Sequence, residues 1–182
     1  MSSLPSHLQL VQGVVLPKPV GAHPVLDFVN TRSEWTTRGP ARTEWLTSYD
    51  AFLIWCSYVG LTAGGDGELE PVLDFRSDLY DVLTGQATDH TFASAARLIE
   101  KATAQRRLVR TDDGPAWELP EDPLQVVALR AGELLTGPSL GHVRTCPSCG
   151  WLFLDPRGRR RWCSMATCGN RAKVRAHAAR VR

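Results

Sequence analysis

CPSCGWLFLDPRGRRRWCSMATCGNRAKVRAHAARVR, residues 146–182, holds four of the five cysteines of the 182-residue chain. They fall as Cys146-x2-Cys149 and Cys163-x4-Cys168. Two close pairs separated by a dozen or so residues let two turns each present two thiolates to one tetrahedral cation. Pro147 fixes the first turn, and Gly150 after the second cysteine permits a left-handed backbone beneath the metal. A CPxCG turn also suits a rubredoxin-type iron site, but such sites pair two identical turns. Here the second pair is wider and runs into a helix, which favours zinc. Four thiolates complete the coordination sphere, so the expected ion is one structural Zn2+ per chain, with no open position for water or substrate. His142, His177 and Asp155 lie near in sequence and are read as surface residues.

Between the pairs, Trp151 to Leu154 reads as a short strand, Asp155-Pro156-Arg157-Gly158 as a turn, and Arg160-Arg161-Trp162 as a returning strand. Asn170 to about Val181 reads as a helix from its alanine, lysine and arginine content. Knuckle, hairpin and helix together predict a small treble-clef-like zinc finger with four cysteine ligands. Arg161 and Arg171 are candidates to neutralise the formal −2 charge of a zinc tetrathiolate.

Charge follows the same division. Residues 1–140 carry 11 Lys and Arg against 18 Asp and Glu, net −7; residues 141–182 carry 10 against Asp155 alone, net +9. A module this basic is expected to attract a polyanion, and the acidic remainder is not. The candidate nucleic-acid contacts are Arg157, Arg159, Arg160 and Arg161 on the hairpin, with Arg171, Lys173, Arg175 and Arg180 on the helix. Arginine forks match phosphate oxygens and guanine edges. At 100° per residue Arg171, Arg175 and Arg182 share one stripe of the helix, while Lys173 and Arg180 lie nearly opposite. Double-stranded DNA is the expected partner, with RNA or an acidic protein as the alternatives.

Upstream, Leu10 to Leu16 reads as an edge strand before Pro17 and Pro19. His23 to Thr31 is apolar and stays open between strand and helix. Thr47-x-x-Asp50 resembles a capping box and Gly60 a stop, predicting a helix over 48–59. Leu69 to Leu83 has apolar residues at helical spacing and ends before Gly85. Thr88 or Asp89 caps a third helix, Phe92 to about Arg106, with Phe92, Ala95, Ala96, Ile99 and Thr103 along one side. Arg107–Arg110 and Ala116–Leu119 flank a hairpin loop. Asp122-Pro123 starts a fourth helix to about Leu135, which stops at Gly137-Pro138. Gly64-Gly65-Asp66-Gly67 reads as a loop, and Cys56 as a buried small hydrophobe. The fold class expected is α+β: a mainly helical amino-terminal domain with short β-hairpins over 1–140, then the finger over 141–182.

The absence of an apolar run of about 18 residues excludes a helical membrane span, and the polar start MSSLPSH lacks a signal-peptide layout. A cytoplasmic location is expected, where clustered cysteines are metal ligands rather than disulfides. No serine–histidine–aspartate, paired-carboxylate or glycine-rich phosphate signature points to an enzyme, so no catalytic residue is named.

The string Arg160-Arg161-Trp162-Cys163-Ser164-Met165-x-x-Cys168-Gly169-Asn170-Arg171-x-Lys173 resembles the CGNR zinc finger, whose name matches residues 168–171. Leu26-Asp27-Phe28-Val29-Asn30-Thr31 is similar to the LDxVNT segment of the ABATE domain that precedes this finger in its family. The resemblance implies a stress-induced transcription regulator with a DNA-binding finger, and a small-molecule or protein effector of the amino-terminal domain is a further expected partner. Asn30 and Thr31 are read as turn or cap residues, with the lining of a ligand site as the alternative.

Overall fold

The computed structural model describes residues 4–33, 35, 43–61 and 64–180. In chain order the elements are β1 (Leu8–Val11), β2 (Val14–Pro17), α1 (Pro24–Val29), α2 (Tyr49–Tyr58), α3 (Leu69–Thr84), α4 (Asp89–Ala104), β3 (Arg107–Thr111), β4 (Gly114–Glu118), α5 (Pro123–Thr136), a 3-10 turn (Pro138–His142), β5 (Val143–Thr145), β6 (Leu152–Leu154), a π-helical turn (Met165–Gly169) and α6 (Asn170–Arg180). The three sheets are separate antiparallel hairpins, β1–β2, β3–β4 and β5–β6. The α+β class with a small finger is the observed one. Val181 and Arg182, at the end of the expected last helix, lie outside the described residues.

Two compact units form, Met1–Thr47 with Gly141–Arg182, and Ser48–Leu140. The chain divides at Gly141 as its charge does, but the first 47 residues group with the finger rather than with the helices. Counted by unit, the first carries 14 basic and 4 acidic residues, net +10, and the second 7 and 15, net −8. The segregation is sharper in space than along the sequence.

In the helical unit, local signals set the boundaries. Ser48, one residue after Thr47, the first residue of the expected capping box, accepts a bond from Ala51 N–H and caps α2. Gly85 ends α3 in the left-handed region, φ 70°. Thr88 caps α4, and Asp122 with Pro123 starts α5. The longest buried run belongs to α5, in which Leu124 to Leu129, Ala131 and Leu134 are all buried, so it is the central helix. On α4 only Ala95 and Ala102 are buried, and Phe92, expected on the inner face, is 57 % exposed. Gly132 sets the α4–α5 approach, since a Cβ there would lie 2.8 Å from Ile99 Cγ2. Cys56 is buried, and burial pushes its thiol up to about 12.

In the basic unit, the expected single strand over 10–16 is instead a hairpin. Gln12 and Gly13, with φ of 47° and 83°, make a two-residue turn of the kind that matches the twist of antiparallel strands. The undecided segment 23–31 is helical. His23 Nδ1 accepts from Val25 N–H, Pro24 occupies the first turn, and every residue from Val25 to Val29 is buried.

Candidate metal centre and nucleic-acid interface

The cysteine pairs arrive on two different supports. Cys146 and Cys149 lie in the connection between β5 and β6, where Cys146 N–H donates to Trp151 O and Gly150 N–H to Cys146 O. Gly150 takes φ 78°, the left-handed conformation that the turn needs. Cys168 sits in the π-helical turn that leads into α6, and Cys163 in the loop before it. That turn is tight: a Cβ on Gly169 would come within 2.7 Å of Met165 Sδ and 3.3 Å of Trp162 Cδ1.

The strand expected over 160–162 does not form. β6 pairs with β5 instead, in the register Val143↔Leu154 and Thr145↔Leu152, so the knuckle is itself the hairpin loop. Residues 155–162 form a loop organised by Asp155, which is buried rather than on the surface. Gly158 N–H donates to Asp155 O, and the Asp155 carboxylate accepts from Arg159 N–H and Arg160 N–H, both at 3.0 Å. Burial raises the Asp155 pKa, but these two N–H bonds and the charges of Arg144 and Arg160 outweigh it and hold the carboxyl below its ordinary value.

The four Sγ atoms lie within 4.8 Å of one another. Cys149 Sγ to Cys163 Sγ is 3.6 Å and Cys163 Sγ to Cys168 Sγ is 3.7 Å. A tetrahedral ion with Zn–S bonds of about 2.3 Å requires S···S separations of about 3.8 Å. The donor set and spacing therefore fit one zinc. Among the described residues this is the only such group, and neither histidine nor Asp155 joins it. Among the thiols themselves, hydrogen bonds from Cys149, Cys163 and Cys168 hold Cys146 far below the ordinary thiol value. The same network pushes Cys149 and Cys163 up. Zinc binds these groups as thiolates, so loading the cage releases protons.

The finger leans on the amino-terminal segment. By strand alternation Leu152 and Leu154 turn their backbone groups to the edge of β6 away from β5. Asn30 fills that edge like a strand residue: its Nδ2 donates to Leu152 O at 2.8 Å, and its Oδ1 accepts from Leu152 N–H at 2.9 Å. Leu154 N–H donates to Gly21 O at 2.9 Å. Asp27 holds the Gly21 loop by accepting from Val20 N–H and Gly21 N–H, each at 2.8 Å. Trp151 Nε1–H donates to Arg32 O at 2.7 Å, and Trp45 meets the Trp151 ring edge to face. Thr31 caps its own helix end through Phe28 O, as a turn residue would. The sequence offers no sign that Asn30 reaches across 122 positions, because a side chain that imitates a strand has no local pattern.

The basic residues are differently employed. Arg157, Arg159, Arg161, Arg171, Lys173, Arg175 and Arg180 are exposed. Arg160 donates to Val20 O, Leu154 O and Cys163 O, and lies 4.5 Å from the Phe153 ring centroid. Its guanidinium ties the loop to the amino-terminal segment. Arg161 lies over Trp162, and Arg175 donates to Ser148 Oγ at 3.2 Å. No residue of α6 is buried.

A family model described as "Putative stress-induced transcription regulator", ABATE, matches residues 22–138. The chain belongs to the ABATE family. Residues 142–181 match the CGNR zinc finger, so this ABATE protein carries its four cysteine ligands in a CGNR finger that holds one structural zinc. Neither is an enzyme family. The search of curated proteins finds no match. The ABATE match begins at Ala22 and so takes in Asp27 and Asn30, the two side chains that seat the finger. Among the described residues no helix is long and apolar enough to cross a membrane.

Proposed function

We propose that this protein is a cytoplasmic transcription regulator that binds double-stranded DNA through its basic unit. The observation that carries the reading is α6: an 11-residue helix with four cations that buries no side chain, mounted on the metal-stiffened finger of a unit with net charge +10. A helix that contributes nothing to a core has its stability from elsewhere, here from the cage at its start. A helix about 10–12 Å across fits a major groove about 12 Å wide. Cations on two opposite stripes, Arg171 and Arg175 against Lys173 and Arg180, then reach the phosphates of both walls. The alanines between them keep the helix narrow.

Arg157, Arg159 and Arg161 add phosphate contacts from the loop, while Arg160 shapes that loop. The helical unit, net −8, is the seat of an effector rather than a DNA contact. Fluorescence anisotropy with a labelled duplex tests the reading: with about five phosphates contacted, log affinity falls against log salt with a slope of about −4.5. Salt-insensitive or absent retention of duplex DNA removes the claim. A partner captured after nuclease treatment points instead to an acidic protein.

A further inference from the structure

The sulfur cage is closed on one side and open on the other. Cys149, Cys163 and Cys168 line a cavity of about 170 Å³, whose other walls include His7, Trp45, Thr43, Thr167 and Arg171. Cys146 does not line it and is fully buried, whereas Cys149, at 9 % exposed, is the most accessible of the four. We propose that Cys149 and Cys163 are an oxidisable pair, reached through this cavity by hydrogen peroxide, whose disulfide releases the zinc.

At about 30 Å³ per water molecule the cavity has room for several small molecules, so a peroxide can reach the sulfurs without the fold opening. Among the described residues its lining has no carboxylate. It offers hydroxyls, an imidazole and the Arg171 guanidinium, which can hold a peroxide and favour departure of hydroxide. The Cys149 thiolate attacks one peroxide oxygen; the O–O bond breaks, and with one proton the products are a sulfenic acid and water. The Cys163 thiolate, 3.6 Å away, then attacks the Cys149 sulfur. The S–O bond breaks and takes up a second proton to leave as water. In sum, two thiolates, one peroxide and two protons give one disulfide and two waters, two electrons having passed to the peroxide. Bond formation at about 2.05 Å requires the sulfurs to close by about 1.6 Å. Only Cys146 and Cys168 then remain as ligands, too few for a tetrahedral site.

The test treats the zinc-loaded full chain with hydrogen peroxide, follows zinc with a chromogenic chelator, and maps disulfides by non-reducing proteolysis and mass spectrometry. One zinc should leave per peroxide consumed, with a Cys149–Cys163 linkage as the first product, and a thiol reductant with added zinc should restore the site. Thr43→Trp, at an exposed wall of the cavity, should retain one zinc per chain and slow release by about threefold or more. Arg171→Gln should slow it by about twofold. Zinc that stays bound, a first product containing Cys146, Cys168 or Cys56, or an unchanged rate in zinc-loaded Thr43→Trp overturns the proposal. None of these readouts depends on DNA.

Discussion

Replacing Asn30 by alanine should damage the finger although the residue lies 116 positions before its first cysteine. Asn30 is 2 % exposed and Leu152 is fully buried, so the change strands a backbone N–H and a backbone C=O where water does not reach. Each unpaired buried group costs about 1–3 kcal/mol, and the pair therefore about 2–6 kcal/mol. That is a large share of a total stability of about 5–15 kcal/mol. Because zinc binding and folding of the finger are linked, the loss appears as weaker zinc retention, about 30-fold or more for 2 kcal/mol. Competition of the full chain against a chelator of known affinity reads this directly, and urea unfolding of the zinc-loaded protein gives the stability term. Asn30→Asp keeps an acceptor for Leu152 N–H but sets a carboxylate against Leu152 O, so it should be at least as harmful. If Asn30→Ala costs less than about 0.5 kcal/mol, the lower end for a net hydrogen bond, and leaves zinc retention unchanged, Leu152 has another partner and the clip is not what seats the finger.

Other outcomes follow from the same contacts. Burial raises Asp27 to about 6, against the bonds from Gly21 and Val20 and the charge of Arg160. The folded state thus binds a proton more tightly than the unfolded one, and this group's contribution to stability falls as pH rises from about 4 to about 6. Asp27→Asn, which keeps the amide acceptor for both N–H groups, should flatten that dependence and raise the melting temperature at pH 7–8. Zinc analysis should give one ion per chain, lost on alkylation of Cys146, Cys149, Cys163 and Cys168, while Cys56 reacts only after the helical unit unfolds. Arg171→Ala and Arg175→Ala should each reduce the salt slope of duplex binding by about 0.9, and Arg110→Ala in the acidic unit should leave it unchanged. Gly150→Ala, at φ 78°, should cost about 1–2 kcal/mol by calorimetry, because a Cβ is disfavoured in the left-handed region.

The helices of the acidic unit are legible because their ends are written in local chemistry: Ser48, Gly85, Thr88 and Asp122-Pro123 act within a turn of where they stand. The zinc ligands are legible for the same reason, since each pair is a short-range pattern. What escapes the sequence has no such pattern. Five consecutive residues of α1 are buried, so the segment shows no period of either kind. The turn at Gln12-Gly13 hides behind a glutamine in a conformation more usual for asparagine or glycine. The sequence points β6 to the wrong partner because 160–162 has strand-like bulk, while Asp155 and Arg160 hold those residues in a loop. The roles of Asp27 and Asn30 depend on contacts that only tertiary structure creates.

Those contacts change what counts as the proposed DNA-binding module. A fragment cut at Gly141 would contain every proposed zinc ligand, every candidate phosphate contact and the whole CGNR match. It would lack the partners of Leu152 N–H, Leu152 O, Leu154 N–H and Trp151 Nε1, and the Val20 carbonyl that receives Arg160. Four backbone or indole groups would lose their protein partners, and the loop bearing Arg157, Arg159 and Arg161 would lose one of its anchors. Zinc ties Cys163 and Cys168 to the knuckle, but it does not pair the outer edge of β6. The helical unit is therefore an insertion between two parts of one basic unit, and the ABATE match spans both the insertion and the segment that seats the finger.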